Sequence, residues 1–465
     1  MPQPPSAASR DEPVIRERGD ACPGALRLHA ADDGYLARVR IPGGELSSHQ
    51  ASVLGLAADR FGDGHLELTS RGNVQVRGLG EGCGAGLAEL LHAAGLLPAP
   101  SHERVRNIVA TPLSGEPDPV RPEAASVRPD VMPWVRELDR LLCAGARVAA
   151  LSGRFLFAFD DGRGDVVALG ADVTVLGRQD GGALVRLGAA SGAVAVGGTD
   201  APAAALLAAE YFLDAAEAAG TRAWRVRELP DGHALDEEEF RARLAAAGIA
   251  AERVPAVRWP YAPAPMPWGT GTGTGAEGRM PLCVLPPLGR LSTGQWQALV
   301  QVAEQGGRGM RVTPWRTVVI PNAPVTGPFD GPARLRAAGL VVDPDGPWQG
   351  VTACTGRPGC AKALADVRAD ASAVVEAARG ALPVHWSGCE RRCGHPQGTA
   401  WVDLVATGSG YGLSVHGRAV AYETGLAAAL AAARELRSPS DEADEADEVD
   451  AVAVPEAPSV DAVKK

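Results

Sequence analysis

The chain has 465 residues, of which 46% are hydrophobic and 22% charged, and its formal net charge is −11. This length exceeds the size of one ordinary core, so two or three domains are expected. The sequence lacks the apolar run of about 18 residues that a membrane span needs, and it lacks the basic excess typical of nucleic-acid-binding proteins, so neither a membrane nor a nucleic acid is an expected partner.

Both ends of the chain are predicted to be disordered. Residues 1–20 are rich in proline, serine and charge and lack the apolar region of a signal peptide. Residues 438–465 contain nine acidic residues and two lysines, a composition typical of disorder. We therefore expect a cytoplasmic protein, in which the eight cysteines serve as thiols in metal or redox sites rather than as disulfides.

Two similar segments lie about 245 residues apart, starting at Leu46 and Leu291. Each start carries serine or threonine residues that suit a helix cap, and an apolar helical stretch follows. The predicted strands around these helices are residues 35–41, 65–69 and 73–77 in the first segment and 282–285, 310–313 and 317–320 in the second. The pattern predicts duplicated α+β units with a cleft between them. We expect a monomer, because the duplication already supplies the symmetry of a dimer.

The segments between the repeats are less regular. Residues 117–133 and 260–278 are predicted linkers because they are rich in proline or carry a Gly-Thr repeat. Residues 228–253 are predicted to form surface helices. A short similarity relates Leu151-Ser-Gly-Arg154 to Trp386-Ser-Gly-Cys389 and extends the repeat.

Four cysteines are grouped near the C-terminal end, at Cys354, Cys360, Cys389 and Cys393. Thiolates must converge to bind a metal, and glycines and a proline between the first two predict a tight turn. Residues 361–379 are predicted to form a helix whose N-terminus faces the bound group. Zinc sites favour shorter spacings, whereas a [4Fe-4S] cluster accepts irregular ones, so the spacing favours iron–sulfur over zinc or free thiols.

This cysteine pattern, C-x5-C followed by C-x3-C, resembles that of the sulfite and nitrite reductase superfamily. Thr69-Ser-Arg71, Arg106-Asn107-Ile108 and Leu151-Ser-Gly-Arg154-Phe155-Leu156 are similar to further motifs of that superfamily. The resemblance implies an α+β fold, with duplicated ferredoxin-like half-domains and two α/β nitrite/sulfite-reductase-type domains around a pseudo-twofold axis. The implied boundaries are 21–95 for half-domain 1, 96–235 for reductase-type domain 1 without a cluster, 236–278 for surface helices and linker, 279–345 for half-domain 2, and 346–437 for the [4Fe-4S]-binding domain.

One position departs from the reductases. The motif that holds two lysines in the oxyanion reductases has Arg154 and Leu156 here, and leucine can neither pair with an oxyanion nor relay a proton. The segments Ala21-Cys22-Pro23-Gly24, Arg40-Ile-Pro-Gly-Gly44, Thr313-Pro-Trp315-Arg316 and Cys393-Gly-His395-Pro396 resemble instead the precorrin-3B synthases, a branch of the superfamily. This branch implies a monooxygenase that uses O2 to hydroxylate the tetrapyrrole precorrin-3A, with lactone formation, in cobalamin biosynthesis.

The resemblance implies several cofactors and site residues. The cofactors are a [4Fe-4S] cluster, a non-haem iron, and NADH or a reduced partner protein as the electron source. The candidate residues for the substrate carboxylates are Arg71, Arg106, Arg154 and Arg316, with surface ion pairs as the alternative role. His395 and Asn73 are weaker catalytic candidates, with local hydrogen bonding as the alternative. Two other functions stay open: a sirohaem-dependent nitrite or sulfite reductase and a non-catalytic iron–sulfur electron-transfer protein.

Overall fold

The computed structural model describes residues 20, 22–116, 128–260, 278–343, 345–396, 401–422 and 425–436. The predicted leader, apart from Asp20, the predicted acidic tail and most of the two predicted linkers lie outside these residues. The chain divides into two compact units, Met1–Gly346 and Pro347–Lys465.

The strands of the first unit are β1 (His29–Ala31), β2 (Gly34–Val39), β3 (Glu45–Leu46), β4 (His65–Leu68), β5 (Val74–Leu79), β6 (Ile108–Ala110), β7 (Phe157–Asp160), β8 (Val173–Gly177), β9 (Gly182–Leu187), β10 (Ala193–Gly197), β11 (Ala251–Val254), β12 (Arg279–Val284), β13 (Arg290–Ser292), β14 (Met310–Val312) and β15 (Val318–Pro324). Its helices are α1 (Ser48–Phe61), α2 (Gly84–Ala93), α3 (Met132–Ala144), α4 (Ala201–Ala218), α5 (Glu237–Ala246), α6 (Thr293–Gly306) and α7 (Gly331–Ala337). The second unit contains β16 (Val351–Ala353), β17 (Val384–Ser387), β18 (Val402–Thr407), β19 (Gly410–Val415), β20 (Arg418–Val420), α8 (Val367–Val374) and α9 (Leu426–Arg434).

The predicted duplication is present as two half-domains that exchange strands. The first sheet has the order β1-β2-β5-β4-β13 and the second the order β12-β15-β14-β3. Strand β13 of the second half thus completes the first sheet, and β3 of the first half completes the second sheet. This reciprocal exchange relates the halves by a pseudo-twofold rotation. One apolar core runs through both halves, and the indole Nε1 of Trp296 on α6 donates to the carbonyl oxygen of Ala51 on α1 at 2.7 Å.

The two equivalent helices begin in the same way, as the sequence predicted. The hydroxyl of Ser47 accepts from the backbone N–H of Gln50 at 3.1 Å, and the Gln50 side chain accepts from the Ser47 N–H at 3.1 Å. Ser292 and Gln295 repeat this capping box at the start of α6. Each box satisfies two N–H groups that a helix start would otherwise leave without partners.

The remaining two sheets share one strand pattern. In the first unit β6, β7 and β8 are parallel neighbours, and β9, β10 and β11 follow antiparallel. In the second unit β16, β17 and β18 are parallel and β19 and β20 antiparallel. The register makes Trp386 equivalent to Phe159. The predicted match of Leu151 with Trp386 is therefore wrong, because Leu151 precedes the strand β7.

Two other local predictions differ from the structure. The segment of residues 236–254 matches the predicted surface helices only in part. Helix α5 lies at the surface and buries one side through Phe240 and Leu244, but residues 251–254 form the strand β11, which pairs with β10 at the sheet edge. The helix predicted over 361–379 is shorter, since α8 covers only Val367–Val374 and begins at the Asp366 cap, whose carboxylate accepts from the N–H of Ala369 at 3.1 Å.

Among the described residues, no helix is long and apolar enough to cross a membrane.

Candidate active site

The four cysteines of the second unit lie at one edge of its sheet. Cys354 directly follows β16, and Gly388 and Cys389 directly follow β17. These strands are parallel neighbours, so their carboxyl ends meet at the same edge, where ligands commonly bind in such sheets. The backbone N–H of Cys354 donates to the carbonyl oxygen of Trp386 at 2.9 Å, which ties the two strand ends together.

The surroundings of Cys354 fit a bound anionic cluster. The backbone N–H of Gly388 donates to the Cys354 sulfur at 3.1 Å, and such donors stabilise a thiolate. A side chain at Gly388 would place its Cβ 2.7 Å from that of Ala363 and 3.5 Å from the Cys354 sulfur, so only glycine fits this close approach. The N-terminus of α8 does not begin next to Cys360, so the predicted helix-dipole contribution from that position is absent from the described helix.

The charges of the other three cysteines affect the pKa of the Cys393 thiol. Burial raises the pKa of the Cys393 thiol, and the nearby Cys354, Cys389 and Cys360 raise it further, whereas Arg391 acts in the opposite direction. An iron–sulfur cluster takes four cysteine ligands, which matches the number of thiols here. Among the described residues, these cysteines included, no group of three or more His, Cys, Asp or Glu side chains is placed to hold a metal ion, so the ligand assignment stays a prediction.

The His395 side chain contacts its near neighbours in sequence, and among the described residues it belongs to no group of three or more side chains placed to hold a metal ion. Its Nδ1 lies 2.7 Å from the carbonyl oxygen of Pro396, and its ring stacks on Trp401 with centroids 5.5 Å apart. The side chain is exposed. The geometry favours the turn-stabilising role that the sequence left open.

A cluster of buried and half-buried arginines lies in the first unit, at β2 and the turn between β4 and β5. Arg40, 3% exposed, donates through Nε to the carbonyl oxygen of Arg104 at 3.3 Å and through Nη2 to that of Gly153 at 3.4 Å. Arg71 donates through Nη1 to the carbonyl oxygens of Gly153 at 3.3 Å and Arg154 at 3.2 Å. Main-chain carbonyls satisfy hydrogen bonds but supply no negative charge.

Arg38 on β2, two residues before Arg40, belongs to this cluster. Its Nη2 donates to the side-chain oxygen of Gln75 at 3.0 Å, while its Nε is buried without a hydrogen-bond partner. No carboxylate forms an ion pair with Arg38, Arg40 or Arg71 in the part of the chain that the structure describes. One buried and two half-buried cations without an ion-pair partner suit a bound anion, since an unpaired buried charge is costly.

The electrostatics of the cluster agree with this deficit of negative charge. Burial and the neighbouring charge of Arg38 lower the pKa of Arg40 to about 9. Burial and the charge of Arg225 lower the pKa of Arg71 to about 10. Both side chains stay protonated at neutral pH, and a bound carboxylate would relieve their repulsion.

The other three predicted arginines have different surroundings. Arg154 is exposed beside the cluster, and its guanidinium lies over the ring of Trp224 at 4.8 Å from the centroid. Arg106 is 4% exposed and forms a bidentate pair with Asp139, at 2.7 Å and 2.8 Å. This pair favours the ion-pair alternative for Arg106, in buried form, over the predicted binding of a substrate carboxylate.

Arg316 does not occupy the position equivalent to Arg71. The backbone N–H of Gly72 donates to Thr69 and that of Arg316 to Thr313, both at 3.1 Å. Their φ angles are 65° and 60°, so Arg316 stands where the first half has a glycine. The turn therefore places Trp315, not Arg316, at the equivalent of Arg71, and the prediction that Arg316 binds a substrate carboxylate gains no support from the duplication.

Asn73 belongs to the framework below the cluster. It is 1% exposed, its side-chain oxygen accepts from the Ile41 N–H at 3.0 Å, and its amide donates to Asn107 at 3.2 Å. These contacts join the half-domain to the segment before β6, so the geometry favours the local hydrogen-bonding role for Asn73 over the catalytic one.

Sequence reasoning missed Arg38 and Arg40 as site residues. The signal was present, because alternate residues of an extended chain face the same side: Arg38 lies on β2, and Arg40 follows directly after its last residue, Val39.

The first unit carries carboxylates at the sheet edge that matches the cysteine edge of the second. The strand register makes Thr111 equivalent to Cys354 and places Asp160 and Asp161 at the end of β7. Asp165 lies beside them and accepts from the Thr111 hydroxyl at 2.8 Å. Burial raises the pKa of Asp165 to about 7, and the neighbouring Asp160 acts in the same direction.

Comparison with known proteins matches both halves of the duplication. Residues 29–94 and 276–326 match the family model of the nitrite/sulfite reductase ferredoxin-like half domain. A precorrin-3B synthase from a Sinorhizobium species is 31% identical over 445 residues, which cover 90% of this chain and 88% of that protein. A ferredoxin–nitrite reductase from Synechococcus elongatus is 28% identical over 403 residues, which cover 78% of this chain and 74% of that protein.

A solved structure shows the same fold. The Mycobacterium tuberculosis NirA protein superposes with a TM-score of 0.59 at 19% sequence identity, covering 83% of this chain and 75% of that chain. The likeness confirms the predicted α+β fold with duplicated half-domains.

Proposed function

Because this chain belongs to the precorrin-3B synthase family of the nitrite and sulfite reductase superfamily, we propose that it catalyses the O2-dependent hydroxylation of precorrin-3A with lactone formation. The activity belongs to cobalamin biosynthesis and makes the protein an iron–sulfur monooxygenase.

The observation that carries the proposal is the cluster of Arg38, Arg40 and Arg71, of which Arg40 is buried and the other two half-buried. Precorrin-3A is a flat tetrapyrrole bearing many carboxylates, and a planar guanidinium fork suits a carboxylate better than any other side chain does. The three arginines have no carboxylate of the protein within ion-pair distance among the described residues, so the substrate would supply the missing negative charges. Arg154, exposed beside them, is the fourth candidate for this role.

The four cysteines of the second unit are the proposed ligands of a [4Fe-4S] cluster. When bound, such a cluster supplies single electrons at low potential. The Gly388 N–H, which donates to the Cys354 sulfur, would stabilise the thiolate and help to set that potential. The electron source, NADH or a reduced partner protein, and the residues that hold the implied non-haem iron stay predictions from the family.

The position of Leu156 argues against reduction of nitrite or sulfite. Leu156 is 3% exposed and packs in an apolar cluster with Val109 and Ala158. The reductases have a lysine at the matching motif position, and here no cation and no proton donor reaches the site from this residue. The hypothesis that this chain is a sirohaem-dependent nitrite or sulfite reductase is therefore the less well supported of the two functions.

The test is turnover of precorrin-3A by anaerobically purified protein that is then given isotopically labelled O2 and a reductant. We expect one labelled oxygen atom in a lactone product by mass spectrometry, and none in a parallel reaction without O2. The absorption spectrum of the purified protein should show a broad thiolate-to-iron band. Sharp haem-type bands together with nitrite turnover would overturn the proposal.

A further inference from the structure

The segment formed by Asp20 and residues 22–27, called the N-terminal strap below, lies against the arginine cluster. It precedes the first strand of the half-domain, and it is fixed at two points by buried or half-buried carboxylates. One carboxylate belongs to Glu103 and holds the distal end of the strap. The other belongs to Asp20 within the strap and holds the loop before β7.

Glu103 binds the strap through three backbone N–H groups. Its Oε2 accepts from Ala25 and Leu26, both at 2.6 Å, and its Oε1 accepts from Arg27 at 3.3 Å. Consecutive N–H groups that converge in this way bind an anion. A Cβ at Gly24 would lie 2.2 Å from the Glu103 Oε1, so glycine is required in the Cys-Pro-Gly motif.

Asp20 binds the opposite side of the strap to the loop of residues 152–154. Its Oδ2 accepts from the Ser152 hydroxyl at 2.8 Å and from the Gly153 N–H at 2.7 Å. Its Oδ1 accepts from the Cys22 N–H at 2.9 Å. One carboxylate therefore fixes both the strap and the loop.

Gly153 connects Asp20 to the arginines. Its N–H donates to Asp20, and its carbonyl oxygen accepts from Arg40 at 3.4 Å and from Arg71 at 3.3 Å. A Cβ at Gly153 would lie 3.2 Å from both the Arg40 Nη2 and the Cys22 Cβ, so the strap, the loop and the arginine pack closely. Loss of the Asp20 carboxylate would free the loop that holds two of the three guanidinium groups.

Cys22 lies within the field of the same arginines. Burial raises the pKa of its thiol, as do the hydrogen bond and the charge of Asp20, whereas the charge of Arg40 and a hydrogen bond from Arg154 lower it. The Cys22 charge in turn acts on Arg38 and Arg71. The reactivity of the Cys22 thiol can therefore be used to report on changes at the arginine cluster.

We propose that Asp20 is a positioning residue, which acts through Gly153 to orient Arg40 and Arg71 toward the substrate carboxylates, and that the strap places Cys22 at the edge of the bound tetrapyrrole. This inference rests on the proposed function, because it takes the tetrapyrrole as the ligand of the arginine cluster.

The test compares the wild type with Asp20→Ala, Asp20→Asn and the control Glu137→Gln, which alters an exposed acid on α3. Binding of uroporphyrin III, a tetrapyrrole with eight carboxylates, is measured by fluorescence titration. We expect Asp20→Ala to weaken binding by about tenfold or more, the scale of one hydrogen bond to a charged group. Asp20→Asn keeps one acceptor oxygen, so its affinity should lie between those of the wild type and Asp20→Ala. Glu137→Gln should bind uroporphyrin III as tightly as the wild type.

Two further readouts separate positioning from a general structural role. With precorrin-3A, Asp20→Asn should raise KM with little change in kcat. Iodoacetamide should alkylate Cys22 faster in both Asp20 variants, and uroporphyrin III should protect Cys22 but not Cys83 in the wild type, as read by mass spectrometry. Wild-type affinity and KM in both Asp20 variants, or equal labelling of Cys22 with and without ligand, would overturn the inference and leave the proposed function standing. Failure of the wild type both to bind uroporphyrin III and to turn over precorrin-3A would overturn the proposed function, and the inference with it.

Discussion

Trp315 occupies in the second half-domain the position that Arg71 occupies in the first. The turn hydrogen bonds and the positive φ angles at Gly72 and Arg316 match between the halves, which fixes this equivalence. Trp315 is partly buried and packs on an apolar cluster that includes Leu156. Only the first half therefore carries a cation at this position, and the duplication has one arginine where its symmetry would allow two.

Arg71→Ala should weaken binding of uroporphyrin III by about 10- to 100-fold, because hydrogen bonds to charged groups contribute about 1.5–3 kcal/mol. Fluorescence titration at fixed salt measures the effect. The matched control is Arg316→Gly, which reproduces the glycine of the first half at a positive φ and should leave affinity unchanged. Equal losses in both variants would contradict the assignment of the site to one half.

Arg106→Ala should act on stability instead of ligand affinity. The substitution leaves the Asp139 carboxylate, whose side chain is 20% exposed, without its bidentate partner. Breaking a fully buried pair costs about 3–5 kcal/mol, and the partial exposure of Asp139 reduces the expected loss to about 2–3 kcal/mol. Urea unfolding should show the lower free energy of unfolding. A variant of wild-type stability with weakened tetrapyrrole binding would restore Arg106 to the site.

Cys389→Ser should abolish the iron–sulfur cluster, because a serine hydroxyl is a poor substitute for a thiolate ligand. Iron and acid-labile sulfide content and the thiolate-to-iron absorption band measure the loss. Cys83→Ser, outside the quartet, should keep the iron content of the wild type. Unchanged iron in Cys389→Ser would refute the ligand assignment.

Asp165→Asn should make the first unit more stable at alkaline pH. The folded-state pKa of Asp165 is raised to about 7 from 3.8. Between these values the folded state binds more protons than the unfolded state, so this carboxyl lowers stability progressively as pH rises from about 4 to 7 and does so fully above 7.

Asparagine removes that ionisation and keeps an oxygen that can accept from Thr111. Urea unfolding midpoints at pH 5 and pH 8 should therefore differ less in the variant than in the wild type. Identical pH dependence in both proteins would show that Asp165 does not titrate in this range.

The sequence predicted the features that depend on short-range patterns. The capping boxes at Ser47 and Ser292 follow from residues three positions apart, and the duplication follows from matching strands and helices. The convergence of the cysteine loops follows from β16 and β17 being parallel neighbours, which a local pattern does not reveal.

Sequence reasoning reaches least far where a distant partner decides the role. Arg106 and Asn73 stand in family motifs, but their partners Asp139 and Asn107 are 33 and 34 residues away in sequence. Half of the α5 residues are charged, yet the two apolar residues Phe240 and Leu244 suffice to bury one side of the helix. The turn geometry, and not the residue type, sets the equivalence of Trp315 with Arg71.

The exchange of β3 and β13 means that neither half-domain contains its own complete sheet. A single half expressed alone would expose an unpaired strand edge and the apolar side of α1 or α6, the surfaces from which aggregation starts. Two chains cut between residues 261 and 277 should instead assemble as a tight pair when made together. The two halves thus correspond to the subunits of an obligate dimer joined in one chain, in which equivalent positions can carry different residues, as Arg71 and Trp315 do.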